Sequence, residues 1–160
     1  MKKVLLIGAD GMLGGELKER LEKIYDVTGT TIENLDITDK EAVLAKAEEV
    51  KPYFIINCAA YTNVDGCEVN TDLAMAVNGT AVENIAEAAK AQDATFIHIS
   101  TDYVFPGNLP VEQIYTEDMN PASSDRPKNS QLSKEKLHKI DIYPKAWEKA
   151  LEEYLKEELK

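Results

Sequence analysis

Apolar positions along this 160-residue chain alternate between two periods. Short β-prone runs, mostly without charge, recur at 4–8, 26–31, 53–57 and 95–100. Unbroken apolar runs such as Val4-Leu5-Leu6-Ile7 and Phe54-Ile55-Ile56 suit parallel strands buried on both faces. Between the runs the period becomes helical. Leu13, Leu17, Leu21 and Ile24 line one face of a first helix. Thr38 and Glu41 have the spacing of a capping box and predict a helix that ends at Val50. Leu73, Ala76, Val77, Ala81, Ile85 and Ala88 form the apolar stripe of a long helix over 72–91. From Asn108 to Asp141 the periodic signal fails, and prolines with Asn120, Ser123, Ser124 and Asp125 read as loop. Pro144 then opens a last helix with Trp147, Ala150, Leu151, Tyr154, Leu155 and Leu159 on one face. Alternating strands and helices predict an α/β fold, a Rossmann-like parallel sheet of order 3-2-1-4 in which the first and fourth strands lie side by side. The length is that of one domain. Residues 1–121 form its core, and 122–160 are expected to pack on it as a loop and a helix.

The stretch from Gly8 to Gly14 carries the first chemistry. A strand becomes a helix across it, which leaves unpaired backbone N–H groups and the positive end of a helix dipole at the strand's carboxyl end. Gly8, Gly11 and Gly14 let a diphosphate approach bare backbone, with Asp10, Met12 and Leu13 between them. The spacing is G-x-x-G-x-x-G. Three glycines between a Val/Leu/Ile strand and an amphipathic helix point to a dinucleotide rather than to an empty, merely tight turn.

Other strand ends supply the remaining candidates. Strand two ends in Thr30 and Thr31, with neither an acid for a ribose 2′-hydroxyl nor an arginine for a 2′-phosphate, so NAD and NADP are both open. Asp36 precedes the predicted cap at the rim where an adenine would lie, and it is equally a turn-forming residue. Strand three empties into Cys58-Ala59-Ala60-Tyr61-Thr62, whose small side chains leave room for a flat ligand or for a packed helix. Asn78 interrupts an apolar stripe and needs a partner, either backbone near the crevice or a local group. Strand four ends in Ser100-Thr101-Asp102-Tyr103. With strands one and four adjacent, Gly8 and Thr101 would face one crevice, and the hydroxyls and carboxylate there would make a proton-handling or substrate-binding edge, or serve turns and caps. His98 reads as a packed structural histidine.

A formal net charge of -11 argues against nucleic acid and anionic membranes as partners, and requires that an anionic ligand be held by local dipoles and amides. No transmembrane run is present, and the short apolar start leads directly into the glycine turn, so a cytoplasmic protein without a leader is expected. Cys58 and Cys67 lack metal spacing and read as reduced, buried or half-buried thiols. No metal ligands are assigned.

Four ordered blocks then carry a resemblance: Gly8-Ala9-Asp10-Gly11-Met12-Leu13-Gly14, Leu35-Asp36-Ile37-Thr38-Asp39, Ile56-Asn57-Cys58-Ala59-Ala60-Tyr61-Thr62-Asn63-Val64-Asp65 and Ile99-Ser100-Thr101-Asp102-Tyr103-Val104-Phe105-Pro106-Gly107. Tyr115-Thr116-Glu117-Asp118 and Asn120-Pro121 continue it. The chain resembles the extended short-chain dehydrogenase/reductases, and within them the dTDP-4-dehydrorhamnose reductase group, which also contains a regulatory subunit of methionine adenosyltransferase. The resemblance implies NAD(P)H-dependent reduction of a dTDP-4-keto-6-deoxy sugar, with a homodimer as the candidate assembly. It implies that Gly8, Gly11 and Gly14 line the diphosphate, Asp36 and Ile37 the adenine, and Ala59, Ala60 and Tyr61 the nicotinamide side. Thr101 would be the hydroxyl member of a catalytic set completed by Y-x-x-x-K, whose tyrosine donates a proton while the lysine lowers its pKa.

That last motif is absent. No tyrosine of this chain has a lysine four places on. Residues 126–137 and the Trp147 helix are similar to the far C-terminal end of the same family, so the middle of the family pattern drops out at a join near 122–125. Strand four then becomes an exposed edge, to be covered by the Trp147 helix or a second copy. The leading expectation is a nicotinamide dinucleotide-binding protein with impaired or no reductase activity as a lone chain. Two others stand beside it: an active reductase using a donor from a second chain, Tyr103 or Tyr115, and a regulatory or structural subunit.

Overall fold

A computed structural model describes residues 1–101 and 132–158, in two compact units, Met1–Ser100 and Thr101–Lys160. Tyr103 and Tyr115, and the motif residues from Asp102 to Pro121, lie outside the described residues.

The first unit is built on four parallel strands: β1 (Lys3–Ile7), β2 (Asp26–Thr30), β3 (Phe54–Asn57) and β4 (Thr95–His98). The parallel α/β architecture is the expected one, but its order is β2-β1-β3-β4, which corrects the predicted 3-2-1-4. The third strand lies beside the first, and β4 pairs with β3 instead of β1. Crossover handedness explains how this happens. Helix α1 (Met12–Leu21) links β1 to β2 on one face, and helix α2 (Lys40–Val50) carries the chain back over β1. A right-handed crossover that reverses direction must change face.

Packing confirms the change. Val4, Leu6 and Ile56 meet Leu17 and Leu21 of α1, whereas Leu5, Ile7 and Ile55 meet Val43, Ala47 and Val50 of α2 and Ile85 and Ala88 of α5 (Ala81–Ala91). Alternate residues of β1 and β3 thus serve opposite layers. The order in which the strands are laid down reverses between β1 and β3, and in open parallel sheets it is outside the carboxyl ends at such a switch point that ligands bind.

Local chemistry moves several predicted boundaries. Asp39, not Thr38, caps α2, accepting from the N–H of Ala42 at 3.0 Å. Thr38 is engaged elsewhere, its hydroxyl donating to Asp36 Oδ1 at 2.7 Å. The single helix predicted over 72–91 is instead α4 (Thr71–Met75), a π-helical turn (Ala76–Thr80) and α5, preceded by α3 (Val64–Val69). A wide turn breaks the 3.6-residue phase, so Leu73 is exposed while Ala81, Ile85 and Ala88 are fully buried. His98 is exposed too, unlike a packed core histidine; it sits on β4, the last strand of the sheet among the described residues.

In the second unit, α6 (Glu135–His138) precedes α7 (Trp147–Glu158), three residues later than the predicted start at Pro144. Trp147, Leu151, Tyr154 and Leu155 of α7 remain exposed.

Two glycines decide how tightly β1 can turn into α1. Gly8 has φ +76°, and a Cβ there would fall 2.7 Å from the Ala59 nitrogen. A Cβ on Gly14 would fall 1.9 Å from the Gly8 carbonyl oxygen, so the helix rests directly on the turn. At Gly15 the nearest atom is 3.8 Å away. Gly14→Ala is therefore expected to destabilise the protein by about 1–3 kcal/mol in urea unfolding, the cost of overpacking. Gly15→Ala should leave stability unchanged or raise it by up to about 1 kcal/mol. Equal effects would refute this packing. In the core, Ile55→Ala should cost about 2–5 kcal/mol, whereas truncation of exposed Ile97 to Ala should cost clearly less by the same measurement.

Candidate functional site

The crevice floor is made by backbone. The Thr30 carbonyl accepts the N–H groups of Gly8 and Ala9, each at 2.9 Å, and the Ile7 carbonyl accepts that of Cys58 at 2.9 Å. The ends of β2 and β3 therefore hold the turn from both sides. Gly11 donates to the Gly8 carbonyl at 3.2 Å and stands as the N-cap of α1, with no side chain to satisfy the N–H groups behind it. Helix α1 also carries no acid in its first turn and has Lys18 and Arg20 in its last. The other described α-helices, α2 to α7, each place Asp or Glu in the first turn. An acid there offsets the helix dipole, and α1 leaves that end free for an anion. Asp10 is exposed on the turn, and Met12, 95% exposed, stands open beside Leu13.

On the β2 side Asp36 is a turn former. Its Oδ1 accepts from the N–H of Thr38 at 2.9 Å as well as from the hydroxyl, and these bonds hold its carboxyl below the usual aspartate range. The turn therefore gains from the ionised carboxylate above that range, and loses the gain as pH falls through the lowered pKa. Ile37 is buried beside it, and its carbonyl accepts from Asn84 Nδ2 at 3.2 Å. Asn84 lies on α5, so a buried amide ties this loop to the helix behind it.

The β3 side holds Ala59, Ala60 and Tyr61. Ala59 is the residue against Gly8, and its N–H donates to Asn57 Oδ1 at 3.0 Å. Asn57 is fully buried, and its Nδ2 lies 3.2 Å from His98 Nδ1. Asn78 grips Tyr61 by both backbone groups: Asn78 Oδ1 accepts the Tyr61 N–H at 2.8 Å, and Nδ2 donates to the Tyr61 carbonyl at 2.9 Å. Asn78 thus finds its partner in backbone at the crevice, the first of the two roles its place in the apolar stripe allowed. Burial pushes the Cys58 thiol up, and Cys58 and Cys67 are both free and half-buried.

The structure brings together Gly8, Gly11, Gly14 and Ala59. Ser100 and Thr101 follow β4, one strand beyond β3, so the strand that carries them does not adjoin β1 as predicted. Asn57 and Asn84 were missed by the sequence reading. Their signals were a polar residue closing an apolar strand and an amide one turn before Ala88 on a buried stripe. Among the described residues no three His, Cys, Asp or Glu side chains stand close enough to hold a metal ion, and no helix is long and apolar enough to cross a membrane.

Known proteins share this parallel α/β fold and much of the sequence. A probable low-salt glycan biosynthesis reductase of Haloferax volcanii is 38% identical over 151 residues, covering 87% of this chain and 49% of its own length. The dTDP-4-dehydrorhamnose reductase of Streptomyces griseus is 46% identical over 105 residues, covering 65% of this chain and 34% of its own. The crystal structure of the dTDP-4-dehydrorhamnose reductase of Bacillus anthracis in complex with NADP superposes with a TM-score of 0.72 at 40% identity, over 81% of this chain and 45% of that one. The chain therefore spans between about a third and a half of the length of these relatives. A UDP-glucose 4-epimerase of Thermus thermophilus, 23% identical with a TM-score of 0.66, shares the fold. The model of the RmlD substrate binding domain matches residues 1–123, the whole of the glycine turn, the sheet and the segment beyond β4. The chain belongs to the RmlD substrate binding domain family.

Proposed function

We propose that this chain binds NADP or NAD in the crevice between β1 and β3, as the dinucleotide-binding part of a reductase acting on a dTDP-linked 4-keto sugar, and that alone it turns over little or no substrate. The observation that carries the reading is the first turn of α1, free of acid and capped by glycine in a chain of net charge -11. The turn also suits a dinucleotide, because Gly8 and Gly14 let it pack backbone on backbone, and the N–H groups at the start of α1 have no side-chain cap.

In this reading the turn from Gly8 to Gly14, with Asp10, Met12 and Leu13, holds the diphosphate through its amides. Asp36 and Ile37 flank the adenine, and Ala59, Ala60 and Tyr61 the nicotinamide side. When bound, the dinucleotide supplies a hydride. The protein's part is to orient the ring and exclude water over the β3 side. On the resemblance of their motif, Ser100 lines the cofactor and Thr101 is the hydroxyl member of the catalytic set. No described residue takes the place of the absent Tyr-Lys pair, and general acid catalysis is typically worth about 10² to 10⁴ in rate. Binding without efficient turnover follows.

Fluorescence titration of the full chain with NADPH and NADH tests the reading. A saturable signal is expected, weakened at least several-fold by Gly11→Ala while the unfolding free energy moves by no more than about 1 kcal/mol. The room at Gly11 supports this, since an added Cβ would come no nearer than 3.4 Å to the Gly8 oxygen. Because amides and a dipole rather than lysines do the binding, added salt should leave affinity unchanged or raise it by screening the chain's own acids. No saturation up to millimolar cofactor would end the proposal. Rapid NADPH oxidation with the keto sugar nucleotide, lost in Thr101→Ala, would replace it with an active reductase.

A further inference from the structure

We infer that Asn78 is a positioning residue: presented by the π-helical turn, its amide fixes the backbone of Tyr61 and so sets the wall that receives the nicotinamide half of the dinucleotide. This rests on the binding site proposed above.

At about 100° per residue Asn78 would share a face with Ala81 and Ile85, over the core. Those two are fully buried, yet Asn78 is exposed. The wide turn Ala76–Thr80 underwinds the helix just there and swings the side chain off the core face, toward the loop after β3. The resulting contact spans 17 residues of sequence and uses both ends of the amide. A single side chain therefore satisfies the donor and acceptor of one peptide backbone, as a neighbouring strand would.

Other contacts converge on the same residue. The Tyr61 carbonyl also lies 3.6 Å from Cys67 Sγ, and the Tyr61 hydroxyl packs on Gly66, where a Cβ would fall 2.5 Å from it. Two residues back, Asn57 Oδ1 holds the Ala59 N–H, and Ala59 is what Gly8 rests against. The segment 59–61 is thus pinned at both ends by amides, one from β3 and one from the π-helical turn. In a crevice of this type the diphosphate sits at the opening helix and the adenosine lies toward β2. The other half of the ligand must therefore lie over β3, against residues 59–61.

This division makes the inference testable with two ligands. Asn78→Ala should weaken NADPH binding roughly tenfold, the loss of two modest hydrogen bonds, and should leave the affinity for 2′-phospho-ADP-ribose, which lacks the nicotinamide ring, within about twofold. Asn78→Asp, which keeps the acceptor for the Tyr61 N–H but sets a carboxylate against the Tyr61 carbonyl, should do the same. It guards against a fold defect in the alanine variant. Amide hydrogen exchange at Tyr61, followed by NMR without ligand, should speed up roughly tenfold in Asn78→Ala, with exchange in β1 unchanged. Equal loss for both ligands, or unchanged NADPH affinity, would overturn the positioning role. If wild type bound neither ligand, the proposed site and Asn78's role in it would both fall, and the Tyr61 exchange rate would still show whether the clamp itself exists.

Discussion

Everything about this crevice depends on backbone lying against backbone at Gly8. Its α-carbon is approached from the β3 end by Ala59 and its carbonyl from α1 by Gly14, at distances no Cβ could share. The Thr30 carbonyl secures the same turn from β2. Because three elements meet through main-chain atoms, the shape of the site is fixed by the fold itself. Side-chain changes elsewhere act on it only by moving one of those elements.

That constraint also explains which features could be read from the chain. The glycine turn and the four strands are local patterns, and each falls where its period placed it, within a residue or two; of the predicted α1 stripe, Leu17 and Leu21 pack on the sheet, whereas Leu13 and Ile24 are exposed and α1 ends at Leu21. The strand order was not local. A helix with an apolar stripe such as Val43, Ala47 and Val50 covers a sheet, but the stripe does not say which face, and a right-handed crossover is available in either direction as long as the face changes with it. Placing β3 beside β1 requires knowing that α2 and α5 share a layer, which only the long-range packing of Val43 and Ala47 with Ile85 and Ala88 reveals.

The same distinction separates the site residues. Gly8, Gly11 and Gly14 announce themselves by spacing. Asn78 shows only as a polar break in an apolar stripe with its partner open, and Asn57 and Asn84 do not stand out at all, because an asparagine in an apolar segment has the same local sequence whether it caps, turns or reaches across the fold. Their partners are Ala59, Tyr61 and Ile37, on the loops at either side of the crevice. The π-helical turn was invisible for a related reason: the residues Ala76–Thr80 have an ordinary helical pattern, and the widening shows only in where Asn78 ends up. A capping box was read at Thr38, where Asp36 competes for the threonine hydroxyl and leaves the capping to Asp39.

Net charge sharpens the electrostatic logic of the site. Acids exceed bases by eleven, yet much of the excess is spread over helix surfaces, where Lys18 with Glu22, Arg20 with Glu16 and Lys156 with Glu152 pair one turn apart. Lys40 and Glu87 pair at 2.5 Å, and α2 and α5 share the core layer behind the crevice. Exposed charges beyond about 8 Å are largely screened at physiological salt. What a phosphate meets at the start of α1 is therefore set by the nearest dipoles, and α1 has had its first turn kept clear of the acids that the other described α-helices place there. An acidic protein can hold an anion on these terms provided the favourable dipole is close and the repulsive charges are not. The Gly8 packing brings the favourable dipole close by setting the start of α1 at the very end of β1, and Asp10, exposed on the same turn, is the acid that a bound phosphate has to face away from.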